Sequence, residues 1–129
     1  MAIEVKRDKN KSLTIHTVKG HASEEEMYEA LENFYNQEPT ALLLWDMSQA
    51  EVAHVSTITL KAFVERSTIL GAKRKDGKTA IFAPHDLQFA LARMSATFAE
   101  LESSSFKMGV FRSRQSAVDW LTGDDTDTG

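Results

Sequence analysis

The sequence predicts an α/β domain built on a mixed sheet, and three observations lead there. Four short apolar runs, Leu13–Val18, Ala41–Trp45, Thr79–Ala83 and Phe106–Phe111, are each followed by a stretch of helical period. Their separation is that of a βαβ unit, ~30 residues, which implies parallel strands joined by crossover helices. The run Ala41-Leu42-Leu43-Leu44-Trp45 is apolar without alternation, as a central strand covered on both faces is.

The elements follow in order. Ile3 and Val5 alternate with polar residues and predict a short first strand. The polar stretch Asp8-Lys9-Asn10-Lys11 turns the chain, because Asn10 tolerates positive φ. Leu13, Ile15 and Thr17 then alternate with Thr14, His16 and Val18 and complete a hairpin, which leaves His16 and nearby His21 on the surface. Ser23 caps the first helix, with Glu26 as its reciprocal partner and Glu24–Glu26 at the positive end of the dipole. Met27, Ala30, Leu31 and Phe34 form its inner face, and the helix ends before Pro39. After Trp45, a long polar loop is expected from Asp46 to His54. Ser56 or Thr57 caps the second helix, with Ile58, Phe63 or Ala62, and Ile69 as its core positions. Lys73-Arg74-Lys75 sits at its C-terminal end, and Asp76-Gly77 turns the chain.

Pro84-His85-Asp86 breaks the next strand and starts the third helix. Leu87, Leu91, Met94, Phe98 and Leu101 form its stripe, and Phe89, Ala92 and Ala96 a second, narrower apolar edge. Ser113 caps the last helix, which Ala117, Trp120 and Leu121 pack down. One domain over residues 1–122 is expected, followed by a disordered acidic tail over 123–129.

Composition narrows the function classes. The 129 residues carry a net charge of −4, with 42% hydrophobic and 26% charged residues, an ordinary globular balance. No basic face stands out, which argues against nucleic acid as a partner. The absence of cysteine excludes disulfides, thiolate zinc sites and cysteine nucleophiles. No stretch reaches the length of a membrane span and no signal peptide is evident, so a cytoplasmic protein without stable membrane insertion is expected. Asn10-Lys11-Ser12 matches a glycosylation acceptor only by chance on that reading.

Three blocks carry a family resemblance. They are Leu44-Trp45-Asp46-Met47-Ser48; Gly77-Lys78-Thr79-Ala80-Ile81-Phe82-Ala83-Pro84 leading into Phe89-Ala90-Leu91-Ala92-Arg93-Met94; and Val110-Phe111-Arg112-Ser113 with Ala117 and Trp120-Leu121. In order and spacing the chain resembles the STAS fold of anti-sigma-factor antagonists and sulfate-transporter C-terminal domains. More closely it resembles the SpoIIAA-like, or STAS/SEC14-like, group of small bacterial proteins. The resemblance implies a βα superhelix: a five-stranded sheet of four parallel strands, an antiparallel N-terminal edge strand and four helices. In the antagonists the second helix opens on a phosphorylatable serine in an Asp-Ser-Ser-Gly-like turn. Here that stretch reads His54-Val55-Ser56-Thr57, with a histidine in place of the acid and a threonine in place of the glycine.

Ligands of parallel sheets sit beyond the carboxyl ends of the strands. That places a candidate binding loop at Asp46, Ser48, His54, Ser56, Thr57, His85 and Asp86. A hydroxyl, an imidazole and a carboxylate could converge there for nucleophilic catalysis. No Gly-x-Ser-x-Gly elbow is present, and N-capping explains the same residue types, so no catalytic residue is assigned and the protein is expected not to be an enzyme. His54, His85, Asp46 and Asp86 lack ligand spacing, so neither a metal nor another cofactor is expected. Ser56 and Thr57 are the candidate phosphosite, since phosphate is favoured at a helix N-terminus. Phe89, Ala92, Arg93 and Ala96 are the candidate interface. The basic cluster Lys73, Arg74, Lys75 and Lys78 could touch an anionic lipid or nucleotide, or simply complement a helix C-terminus.

The expected function is a non-catalytic binding or regulatory module that meets a protein partner, or itself as a homodimer, through the third helix. One alternative is a carrier of a small apolar or lipid-like ligand, held between the second and third helices. The other is a phospho-regulated anti-sigma-factor antagonist.

Overall fold

A computed structural model describes residues 2–123. Strands β1 (Ile3–Asp8), β2 (Leu13–Gly20), β3 (Leu42–Ala50), β4 (Lys78–Phe82) and β5 (Lys107–Phe111) form one sheet in sequential order. β1 is antiparallel to β2, and every later pair is parallel. Helices α1 (Glu24–Asn36), α2 (Thr57–Leu70) and α3 (Asp86–Leu101) make the crossovers, a 3₁₀ turn (Gly71–Arg74) follows α2, and α4 (Arg114–Thr122) closes the chain. The fold is therefore the mixed five-stranded α/β architecture expected. The acidic segment 124–129 lies outside the described residues.

Crossovers between neighbouring parallel strands share one hand, so consecutive ones stack their helices on one face of the sheet. That face holds the larger core: Leu31, Phe34 and Tyr35 of α1 and Ala92 of α3 against Leu43, Trp45 and Ile81. The opposite face falls to α4, where Ala117 and Leu121 pack on Leu13, Leu44 and Ala80. Alternating residues of β3 thus enter two different cores, which explains why its sequence shows no alternation.

Local signals hold at the helix starts. Ser23 accepts from Glu26 N at 3.1 Å and Glu26 accepts from Ser23 N at 3.0 Å, a complete capping box. Ser56 and Ser113 cap α2 and α4 through the N–H groups of Thr59 and Ser116.

Four expectations are corrected. β3 does not end at Trp45 but runs to Ala50, so Asp46 and Ser48 belong to a strand rather than a loop. Ile58 and Ile69 of α2 are 83% and 65% exposed; that helix turns Val64 and Ser67 inward instead, with Phe63 half-buried. On α3 the buried line is Gln88, Ala92, Ser95 and Ala99, while Leu87 and Leu101 face outward. His16 is a core residue, 1% exposed, with its ring 4.3 Å from Trp45 and 5.9 Å from Phe34.

Candidate functional site

A cavity of about 210 Å³ lies between the sheet and the layer of α1, α2 and α3. It follows from the helix faces just described. α3 fully buries only Gln88, Ala92, Ser95 and Ala99, and α2 only Val64 and Ser67, while Leu60 and Phe63 of α2 and Leu91 of α3 border the space without filling it. Small side chains cannot fill the space between a helix layer and a sheet, where interiors otherwise pack without voids. The walls are apolar and strongly aromatic. Phe63 of α2 meets Tyr28 of α1 edge-on at 5.3 Å and Trp45 of β3 at 6.0 Å. Met27, Met47 and Met108 add flexible, polarisable surface.

The polar groups along the wall are mostly committed within the protein. Gln88 accepts from His85 N at 3.3 Å and donates to Ala50 O at 2.9 Å. The Ser67 and Ser95 hydroxyls donate to Phe63 O and Leu91 O in their own helices. At one end, the hydroxyls of Tyr35 and Thr79 lie 3.2 and 2.9 Å from Nη1 of Arg74. Burial pushes the Tyr35 phenol above its ordinary pKa, against the opposing pull of Arg74, so this phenol keeps its proton at neutral pH.

Arg74 departs furthest from its expected place. It is 4% exposed rather than part of a surface cluster. Its five N–H donors reach Thr40 O, Ala41 O and Lys78 O together with the Tyr35 and Thr79 hydroxyls. The Phe34 and Phe106 rings lie 5.2 Å from its guanidinium carbon. The turn that delivers it presses on Phe106 so closely that a Cβ at Gly71 would stand 2.3 Å from that ring. The rest of the basic cluster is dispersed: Lys73 donates to Tyr35 O and Lys78 to Trp120 O.

The seven residues of the candidate binding loop do not form one site. Asp46 points to the α4 face, accepting from the Ser48 hydroxyl at 2.6 Å and from Arg114 at 2.8 Å. Ser56 caps α2 and also donates to Thr59 Oγ1, and Thr57 is exposed beside it. His85 is exposed at the start of α3, and Asp86 pairs with Arg112 at 2.9 Å. Among the described residues, no hydrogen bond joins His54 or His85 to a serine or threonine hydroxyl. His54 alone of the seven borders the cavity; its ring stacks on His21 at 3.7 Å and its Nε2 lies 3.3 Å from Ala22 O. Of the candidate interface, Ala92 faces the cavity, whereas Phe89, Arg93 and Ala96 line a shallow groove beside β5. Among the described residues no group of three or more potential metal-ligating side chains converges, and no helix is long and apolar enough to cross a membrane.

Sequence reasoning missed the cavity walls. The available signal was the line of small and polar residues Gln88, Ala92, Ser95 and Ala99 at helical spacing, overshadowed by the bulkier stripe beside it.

No family model matches the sequence, and no curated protein is significantly similar to it. Among solved structures, the chain is similar to an uncharacterized protein from the DUF3478 family with a SpoIIAA-like fold from Shewanella loihica PV-4. The TM-score is 0.60 at 20% sequence identity, over 93% of this chain and 92% of that one. The chain thus has the SpoIIAA-like fold that its sequence blocks suggested.

Proposed function

We propose that this protein is a binding module for a small, largely apolar molecule, held in the cavity beneath α2. The observation that carries this reading is the cavity itself: about 210 Å³ of space walled by aromatic and methionine side chains. An apolar void of about 150 Å³ already accommodates benzene. A domain that left such a space empty would forgo packing stabilisation. The expected alternative of an apolar-ligand carrier is therefore the better supported one, with the ligand touching α1 as well as α2 and α3.

Trp45 lines the cavity and Trp120 lies in the other core, so a Trp120→Phe protein reports on the site through Trp45 alone. Iodobenzene, a heavy-atom quencher, is expected to quench its emission saturably. Ala92→Leu fills the cavity from α3 and should weaken that quenching at least tenfold without lowering the melting temperature. A linear, unsaturable response in both proteins would reject the reading.

A second reading, docking of a protein partner or second copy along α3, has its own support. The outer edge of β5 pairs with no other strand among the described residues. The groove beside it holds Phe89, Arg93 and Ala96, with Arg112 4.2 Å above the Phe89 ring. A dimer using this edge should elute as a monomer once Phe89→Glu is introduced. A wild-type chain that is monomeric at 100 μM, on the order of ordinary binding concentrations, would dismiss self-association.

A further inference from the structure

The cavity has one chemically distinct end. A guanidinium carries donors and no acceptor, so in their bonds with Arg74 the Tyr35 and Thr79 oxygens must both accept. Each hydroxyl therefore keeps a proton to donate. Among the described residues no protein acceptor takes either one, although both residues are 2% exposed and both line the cavity. Buried donors ordinarily find partners. Behind them, the charge of Arg74 meets carbonyls and ring faces, and among the described residues no carboxylate pairs with it. A hydroxyl that accepts from a cation is polarised into a stronger donor. This end of an otherwise apolar space thus presents two O–H donors in a positive field.

We propose that the ligand is a compact aromatic monocarboxylate, its ring body against Phe63, Tyr28 and Trp45 and its carboxylate accepting from the Tyr35 and Thr79 hydroxyls. The proposal rests on the reading of the cavity as an apolar ligand site and adds the ligand's class. Charge-assisted O–H bonds are the strong ones and offset the desolvation of the carboxylate. The volume limits the body to about one or two fused rings by comparison with the benzene-sized void, well short of a phospholipid.

Three probes that share one body test it: 2-naphthoate, 2-methylnaphthalene and 2-naphthylmethylammonium, titrated calorimetrically into the full chain at pH 7.5. Naphthoate is expected to bind at least tenfold more tightly than methylnaphthalene, and the ammonium not measurably. Tyr35→Phe should cost naphthoate at least fivefold while methylnaphthalene stays within twofold. If that variant does not fold, Thr79→Val removes the other donor at nearly constant volume and carries the same expectation. Methylnaphthalene binding as tightly as naphthoate overturns the carboxylate assignment and leaves the apolar site standing. So does naphthoate binding that ignores the loss of the hydroxyl. Failure of all three probes to bind overturns the apolar site itself.

Discussion

His16 sits in the middle of β2 as an uncharged ring among aromatic neighbours, its Nδ1 without a hydrogen-bond partner among the described residues. Burial lowers its pKa from 6.5 to about 4. For a base whose folded value is depressed, the unfolded chain binds the extra proton between those two values, so stability falls as pH drops from about 6.5 to 4. The full effect is of order 3 kcal/mol. His16→Leu should remove this slope in urea melts across that window, and at pH 7 it should be at least as stable as the wild type, because an unpartnered polar atom is replaced by carbon. An unchanged acid slope would show that the ring is already charged in the fold. Glu4, Glu26 and Glu32 have pKa values held below the ordinary 4.5 by Lys19, Ser23 and Arg66 respectively, so their contribution is lost at still lower pH. The sequence disguised His16 because β2 alternates between two covered faces, so a polar residue between apolar ones did not mark a solvent side. Arg74 was disguised in the same way: three consecutive cations read as a patch, and only the fold shows that the middle one turns inward.

At the scale of elements, α2 stands apart from the helices beside it. α1 drives Leu31, Phe34 and Tyr35 into the core, whereas α2 buries only Val64 and Ser67 along its 14 residues. Its ties run mainly sideways, to α1 through the Phe63–Tyr28 contact and the Arg66–Glu32 pair at 2.7 and 3.0 Å, and to α3, with the Phe63–Trp45 contact reaching the sheet. Exposed ion pairs of that kind contribute roughly 0–1 kcal/mol. α2 therefore roofs the cavity while resting little on the sheet. Local opening draws on regions with few buried apolar contacts, so amide exchange should run at least tenfold faster in the centre of α2 than in β3 or the centre of α1. Saturating ligand should close that gap. Protection of α2 equal to that of β3 would mean the helix moves only when the whole domain unfolds. This weak anchoring also explains what the sequence left undecided. The choice between Ala62 and Phe63 was open: Ala62 shares the face of Ile58 and Ile69, which is exposed, whereas Phe63 lies toward the opposite, inner face, which is marked by Val64 and a serine. On α3, bulk misled in a similar way: the heavy stripe flanks the buried line, whose small residues create the candidate site. The alternation of strands and helices and the serine caps were legible because they depend on chain-local signals; the cavity was not, because it depends on what two helices together fail to fill.

For the whole molecule, the decisive fact is one sheet shared by two cores of unequal depth. Among the described residues three helices cover one face and α4 covers the other. Loss of α4 would uncover Leu13, Leu44 and Ala80 on strands whose other faces form the cavity floor and the larger core. The layers are thus coupled through the backbone of β3 and β4, and the short final helix matters beyond its nine residues. Leu121, 2% exposed, is the large aliphatic side chain that α4 buries. Leu121→Ala should cost about 3 kcal/mol, a fall of roughly 10 °C in melting temperature for a domain of this size. Because the sheet is common to both layers, the loss should appear equally on both sides. Trp120 reports on the α4 layer and Trp45 on the cavity layer, and single-tryptophan proteins should melt at one temperature, shifted together by the substitution. A Trp45 signal that outlasts the Trp120 signal would show that the cavity layer is stable without its underside, and that α4 is an accessory rather than half of the fold.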